Sequence, residues 1–176
     1  MKRNVFVFGL ILGTILAINM VLLVNMLYNN PDMKSNEIIG YAAMIVVFSL
    51  TFFGIRNYRN KQLNGVISLG KAFKTGALIA LVGSTMYVVT WLFYYYLFVP
   101  DFIDIYSTYV LDSATRDGAT PAELSAKTEQ MVQFKEMYKN PLFVILITYS
   151  EVLPIGLIVA FISALILKRK PAAIAA

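Results

Sequence analysis

From Val5 to Tyr28 the chain runs through 24 residues without a formal charge, directly behind Lys2 and Arg3. A helix needs roughly 20 apolar residues to cross a bilayer, so this stretch already restricts the fold to membrane classes. A secretory signal would have an apolar core of about 7–15 residues and a small-residue cleavage site. Val24-Asn25-Met26-Leu27-Tyr28 offers no such site, and the run reads as an uncleaved first span. Similar runs recur at about 38–55, 72–99 and 141–167. The chain of 176 residues is 59% hydrophobic and 14% charged, more apolar surface than a soluble domain of this size can bury. The expected architecture is an all-α membrane protein: one four-helix transmembrane bundle over residues 1–176, with a helical loop at 101–140.

The chemistry this chain can perform is limited by what it lacks. It has no Cys and no His, which removes thiolate nucleophiles, Cys metal sites and the commonest general base. No paired-carboxylate, metal or phosphate-loop spacing emerges. The sequence therefore predicts no enzyme, no cofactor, no metal and no catalytic residue. The net charge of +5 does not point to nucleic acid, because the basic residues flank apolar runs.

That distribution sets topology. The middle loop carries Arg56, Arg59, Lys61, Lys71 and Lys74 and no acid. Lys2 and Arg3 precede the first span, and Lys168, Arg169 and Lys170 follow the last, ahead of Pro171 and an Ala-rich tail. The 101–140 loop instead has seven acids (Asp101, Asp104, Asp112, Asp117, Glu123, Glu129, Glu136) against four bases (Arg116, Lys127, Lys135, Lys139). The positive-inside rule places both termini and the middle loop in the cytoplasm, and the 101–140 loop outside.

Local signals fill in the frame. Asn29-Asn30-Pro31-Asp32 is a turn. Val66–Lys74 reads as a segment along the membrane interface, with Ser68 placed to cap a helix running into the third span. Trp91-Leu92-Phe93-Tyr94-Tyr95-Tyr96 has the composition of an aromatic belt. In the outer loop, Thr120-Pro121-Ala122-Glu123 is a capping box with proline at the first helical position. It opens an amphipathic helix to about Lys139, with Leu124, Met131, Phe134 and Tyr138 on one face. Phe102, Ile105, Tyr106 and Tyr109 suggest a weaker helix upstream, separated by Gly118. The pair reads as a hairpin lid or as a docking surface.

Small residues recur at every fourth position on three spans: Gly9, Gly13 and Ala17; Gly76, Ala80 and Ser84; Gly156, Ala160 and Ala164. Such stripes let helix backbones approach closely inside a membrane. All lie toward the basic end, so the bundle should be tight there and broader at the aromatic end, leaving room for a cavity. Glu151 is the one formal charge well inside an apolar run. Ten residues below Pro141, it falls about 15 Å down the helix. Equal counting on the other spans predicts an intramembrane polar layer of Glu151, Asn19, Ser49 and Tyr87. Pro154 lacks an N–H, so the Ser150 carbonyl loses its helix donor and a kink is expected. Glu151 is then either a proton or substrate site or a neutral carboxyl that fixes helix register through hydrogen bonds.

Several segments together resemble a known family. They are Gly40-Tyr41-Ala42-Ala43-Met44, Phe53-Gly54-Ile55-Arg56-Asn57-Tyr58-Arg59, the run Gly65–Gly76, Pro100-Asp101-Phe102, Asn140-Pro141-Leu142 and Glu151–Ile158. The combination is similar to domain-of-unknown-function family 4199, small four-span inner-membrane proteins found mostly in Bacteroidota. The resemblance covers nearly the whole chain and implies a multi-pass protein with a long extracytoplasmic loop. It implies no activity. It suggests an association with membrane glycosyltransferases, and so a non-catalytic accessory or scaffold role in an envelope glycan or lipid-carrier process. The partners expected are the lipid bilayer and a membrane protein or a second copy of the chain. The alternative is a small proton- or lipid-handling transporter using Glu151.

Overall fold

The structure, a computed structural model, describes residues 1–29 and 37–169, with the side chains of 37–39 left aside. Asn30, Pro31 and Asp32 of the expected first turn lie outside the described residues, as do Lys170, Pro171 and the Ala-rich tail. The chain forms α1 (Lys2–Asn29), α2 (Glu37–Phe48), α3 (Leu50–Gln62), α4 (Leu69–Phe98), α5 (Phe102–Arg116), α6 (Pro121–Tyr138) and α7 (Pro141–Leu167). Among the described residues it is all-α, apart from one isolated bridge between Ile67 and Arg169. Among the described residues, four stretches are long and apolar enough to cross a membrane: α1, α4, α7 and Gly40–Gln62, which joins α2 to α3.

Two span limits differ from those expected. The second helix does not stop near Ile55 but continues to Gln62, carrying Arg56, Arg59 and Lys61 on its last two turns. Their long side chains reach water from a helix that is still packed, so the charges do not end it. Asn64 (φ 49°) and Gly65 (φ 82°) end it, the left-handed backbone that asparagine and glycine tolerate. Nor does Val66–Lys74 form a separate interfacial segment. Ser68 accepts the Lys71 amide at 3.4 Å, so α4 begins at Leu69. Ile67 is buried at 2% exposure and exchanges backbone hydrogen bonds with Arg169 at 3.1 and 2.9 Å.

α4 is the central helix, with its longest contacts on α1 at one side and α7 at the other. Glycine makes both contacts close. A Cβ on Gly9 would lie 2.6 Å from Val82 Cβ and 3.2 Å from the Ile79 carbonyl, and one on Gly13 would lie 2.8 Å from Met86 Cβ. Gly83 answers from α4, holding Leu12 against its bare backbone. On the other side, a Cβ at Gly76 would meet Ala160 at 2.9 Å, and one at Gly156 would meet Ala80 at 2.9 Å and the Phe48 ring at 2.5 Å. Ala17, Ser84 and Ala164 are also buried. α4 thus uses one small-residue row (Gly76, Ala80) toward α7 and another residue, Gly83, toward α1. In lipid, where burial brings little hydrophobic gain, this dispersion contact is the main attraction between helices.

The basic end is laced shut. Asn4 Nδ2 donates to the Gly54 carbonyl at 2.9 Å, the Met1 ammonium to Gln62 Oε1 at 2.6 Å, and Arg59 Nη1 to the Leu167 carbonyl at 3.1 Å. Arg59 thereby caps the end of α7, whose last carbonyls lack helical donors. Arg56, Lys61, Lys71 and Lys74 are exposed.

The second span is interrupted at Ser49. Its hydroxyl donates back to the Val46 carbonyl at 2.5 Å, its amide is shared between Ile45 and Val46, and Phe52 N–H bonds the Ser49 carbonyl. Serine back-bonding of this kind competes with the helical ladder and bends helices. Below the break α3 packs on α1, α4 and α7. Above it α2 packs chiefly on α7 and α1. Space opens between α2 and α4 on the hairpin side.

Candidate functional site

The connection from α4 to α7 folds into a helical hairpin. Gly118 (φ 83°) turns the chain between α5 and α6. Thr120 Oγ1 accepts the Glu123 amide at 3.3 Å, and Glu123 Oε2 accepts the Thr120 amide at 2.8 Å, closing the capping box. Those hydrogen bonds hold the Glu123 carboxyl below its ordinary 4.5, the Thr120 backbone contact most of all. A lowered folded value means the stabilisation is complete above about 4.5 and is lost as pH falls through the folded value. Thr120→Ala removes the acceptor of the Glu123 amide and should cost about 1 kcal/mol at neutral pH, read as faster amide exchange in the first turn of α6. The lost amide bond to Thr120 Oγ1 does not titrate, so most of the difference from wild type should persist in acid, and only the share from the Thr120 Oγ1–Glu123 Oε2 hydrogen bond should fade as Glu123 protonates.

Only part of the hairpin's expected face is deeply buried. Leu124, Met131 and Phe134 are half-buried and Tyr138 is buried, but Val132 and Met137 are exposed on other faces. α6 is accordingly less sharply amphipathic than its sequence suggests. On α5 the buried residues are Ile103, Tyr109 and Ala114. Three ties hold the hairpin in place. Tyr28 Oη of α1 donates to Asp101 Oδ1 at 2.7 Å. Trp91 Nε1 of α4 donates to Tyr138 Oη of α6 at 2.8 Å in a buried setting. Lys135 pairs with Asp104, joining α6 to α5. Aromatic edges surround the middle tie, with Trp91–Phe102 centroids 4.9 Å apart and Tyr95–Tyr138 5.2 Å apart. Burial pushes the Tyr138 phenol well above its ordinary value, with the Trp91 N–H working against this and Glu151 adding to it. Tyr138 is a neutral phenol at physiological pH.

Beneath the hairpin lies a cavity of about 320 Å³. α1 contributes Met20 and Val24, α2 contributes Gly40, Tyr41 and Met44, and α4 contributes Tyr87 and Trp91. α5 closes it with Phe102, Ile103, Tyr106 and Tyr109, and α6 with Phe134 and Tyr138. Thr148 and Glu151 of α7 form its remaining wall.

Two residues of the expected polar layer, Glu151 and Tyr87, line this cavity together. Ser49 does not join them. It is exposed and bonded to its own helix, because a serine hydroxyl one turn from a helical carbonyl finds its partner locally. Asn19 is half-buried and lies outside the cavity lining, where its neighbour Met20 takes the place. α7 runs unbroken through Pro154. Near it Tyr149 Oη donates to Thr85 Oγ1 at 2.8 Å, and the Ser150 hydroxyl donates to the Ile147 carbonyl at 2.7 Å. The aromatic and hairpin residues of the cavity were not singled out as a site from sequence. Trp91 and Tyr138 lie 47 positions apart, and no local pattern pairs them. Among the described residues no group of three or more carboxylates is placed to hold a metal ion.

The family model described as a protein of unknown function, DUF4199, matches residues 7–169. The chain belongs to this family. The match covers every helix that lines the cavity, so the four spans and the hairpin together make up the DUF4199 unit. No curated protein and no solved structure matches the chain.

Proposed function

We propose that this DUF4199 protein is a non-catalytic accessory protein of the bacterial inner membrane. It holds a small amphipathic molecule in the cavity beneath its hairpin, in service of an envelope glycan or lipid-carrier process. One observation carries the reading: a cavity of about 320 Å³ that extends from Glu151 of α7 to the underside of α5 and α6. Ligand sites are concave, mainly apolar and fitted with a few placed polar groups, which describes these walls. The lack of His and Cys favours holding over turning over. The basic residues at one end and the acidic hairpin at the other support termini in the cytoplasm and the hairpin outside.

Gly40 provides the test. It lines the cavity, and a Cβ there meets nothing within 4 Å, so a side chain can start from this position without a backbone clash. Wild-type protein extracted in mild detergent should retain a bound amphiphile by native mass spectrometry. Gly40→Phe should lose it with an unchanged melting temperature. Identical retention in both proteins would sink the reading. Single cysteines at Lys61 and Lys127, in a chain with none of its own, should label with an impermeant maleimide from opposite sides.

A further inference from the structure

Resting on that reading, we infer that the cavity takes an organic cation, an ammonium group carried on an apolar body. The aromatic walls supply the attraction and Glu151 the counter-charge.

The lining is selective by charge. Eight of its fifteen residues are Phe, Tyr or Trp, one is the acid Glu151, and none is Lys or Arg. A phosphate or carboxylate entering here would meet a carboxylate and electron-rich ring faces with no cation to neutralise it. An ammonium ion gains from both, because ring faces attract cations and do so more strongly where water is excluded. Lys135, next in sequence to the lining residue Phe134, is paired with Asp104.

The rings are also held in advance. Trp91 is fixed by its hydrogen bond to Tyr138 and by the edge of Phe102. Phe102 in turn stacks with Tyr106 at 6.0 Å and 16°. A cage whose walls brace one another loses little freedom when filled. Tyr87 and Glu151 line the same cavity from the spans, so an ammonium group held among the rings shares the space with the carboxylate.

The chain carries its own reporter, since Trp91 is its single tryptophan and lines the cavity. Intrinsic fluorescence of the full-length protein in phosphatidylglycerol nanodiscs should saturate with choline. The neutral isostere 3,3-dimethylbutan-1-ol should bind at least about tenfold more weakly, and 3,3-dimethylbutanoate more weakly still. Glu151→Gln should weaken choline about tenfold and leave the isostere within about twofold. In phosphatidylcholine nanodiscs, an emission already shifted and insensitive to added choline would identify the lipid headgroup as the source of the cation. A response to free choline in both membranes would identify a soluble amine. Equal affinity for choline and its isostere, or tighter binding of the anion, overturns the cation assignment and leaves the cavity reading standing. No response to any of the three in either membrane overturns both.

Discussion

Gly9→Leu is expected to destabilise the protein by about 3 kcal/mol, at the upper end for overpacking a close contact. The position offers no escape. The first added carbon would sit 2.6 Å from Val82 Cβ, an atom fixed to the α4 backbone, and 3.2 Å from the Ile79 carbonyl oxygen. A flexible side chain can rotate away from an intruder, but a Cβ and a carbonyl move only if α4 itself moves. Doing so would break the seat of Leu12 on Gly83, and both residues are buried. The effect should appear as a lower melting temperature in detergent and as faster proteolysis within α1. Gly70→Ala serves as the control. Nothing lies within 4 Å of a Cβ there, and it sits in the first turn of α4. Alanine should be neutral or stabilising by up to about 1 kcal/mol.

Trp91→Ala should cost about 3–5 kcal/mol and release the hairpin selectively. Trp91 is 6% exposed. It meets the ring of Phe102 edge-on, packs with Tyr95 and donates to the buried Tyr138 hydroxyl. Truncation empties the space under α5 and leaves Tyr138 without its donor. Amide exchange should rise through α5 and α6 while the α1–α4–α7 contact at the basic end keeps its protection. Trp91→Phe separates the two contributions, keeping most of the ring and losing the hydrogen bond at a net cost of about 1 kcal/mol. If exchange rose equally at both ends of the molecule, the hairpin would not be an independently anchored unit.

Much of the frame was legible in the residues. Apolar runs long enough to cross a bilayer favour helices, because a helix bonds its backbone polar groups within the segment where there is no water to bond them. α7 follows the predicted 141–167 to the residue, since Asn140 caps it and Pro141 opens it. The Thr120–Glu123 box placed the start of α6 for the same reason: caps are local chemistry, written in consecutive residues. The small-residue rows were visible as a four-residue period, but the partner of each row was not. Gly83 stands beside the expected Gly76-Ala80-Ser84 row and serves a different helix, and a period alone does not distinguish two faces of one helix.

What sequence counting missed was decided by competition between local and distant partners. Equal depth put Ser49 in a polar layer with Glu151, Asn19 and Tyr87. Its hydroxyl instead bonds Val46 three residues back, and that local bond interrupts the second span. The interruption is linked to the space between α2 and α4, and so to the cavity. Asn4, unmarked in the sequence, finds the Gly54 carbonyl 50 residues away. The sequence by itself determined the membrane class, the four spans, the charge asymmetry of the two ends and the caps of the hairpin, because each depends on neighbours along the chain. Only the tertiary structure decided that Glu151, Tyr87, Trp91 and Tyr138 share one cavity, because aromatic packing and side-chain hydrogen bonds between helices depend on distances that no periodicity encodes.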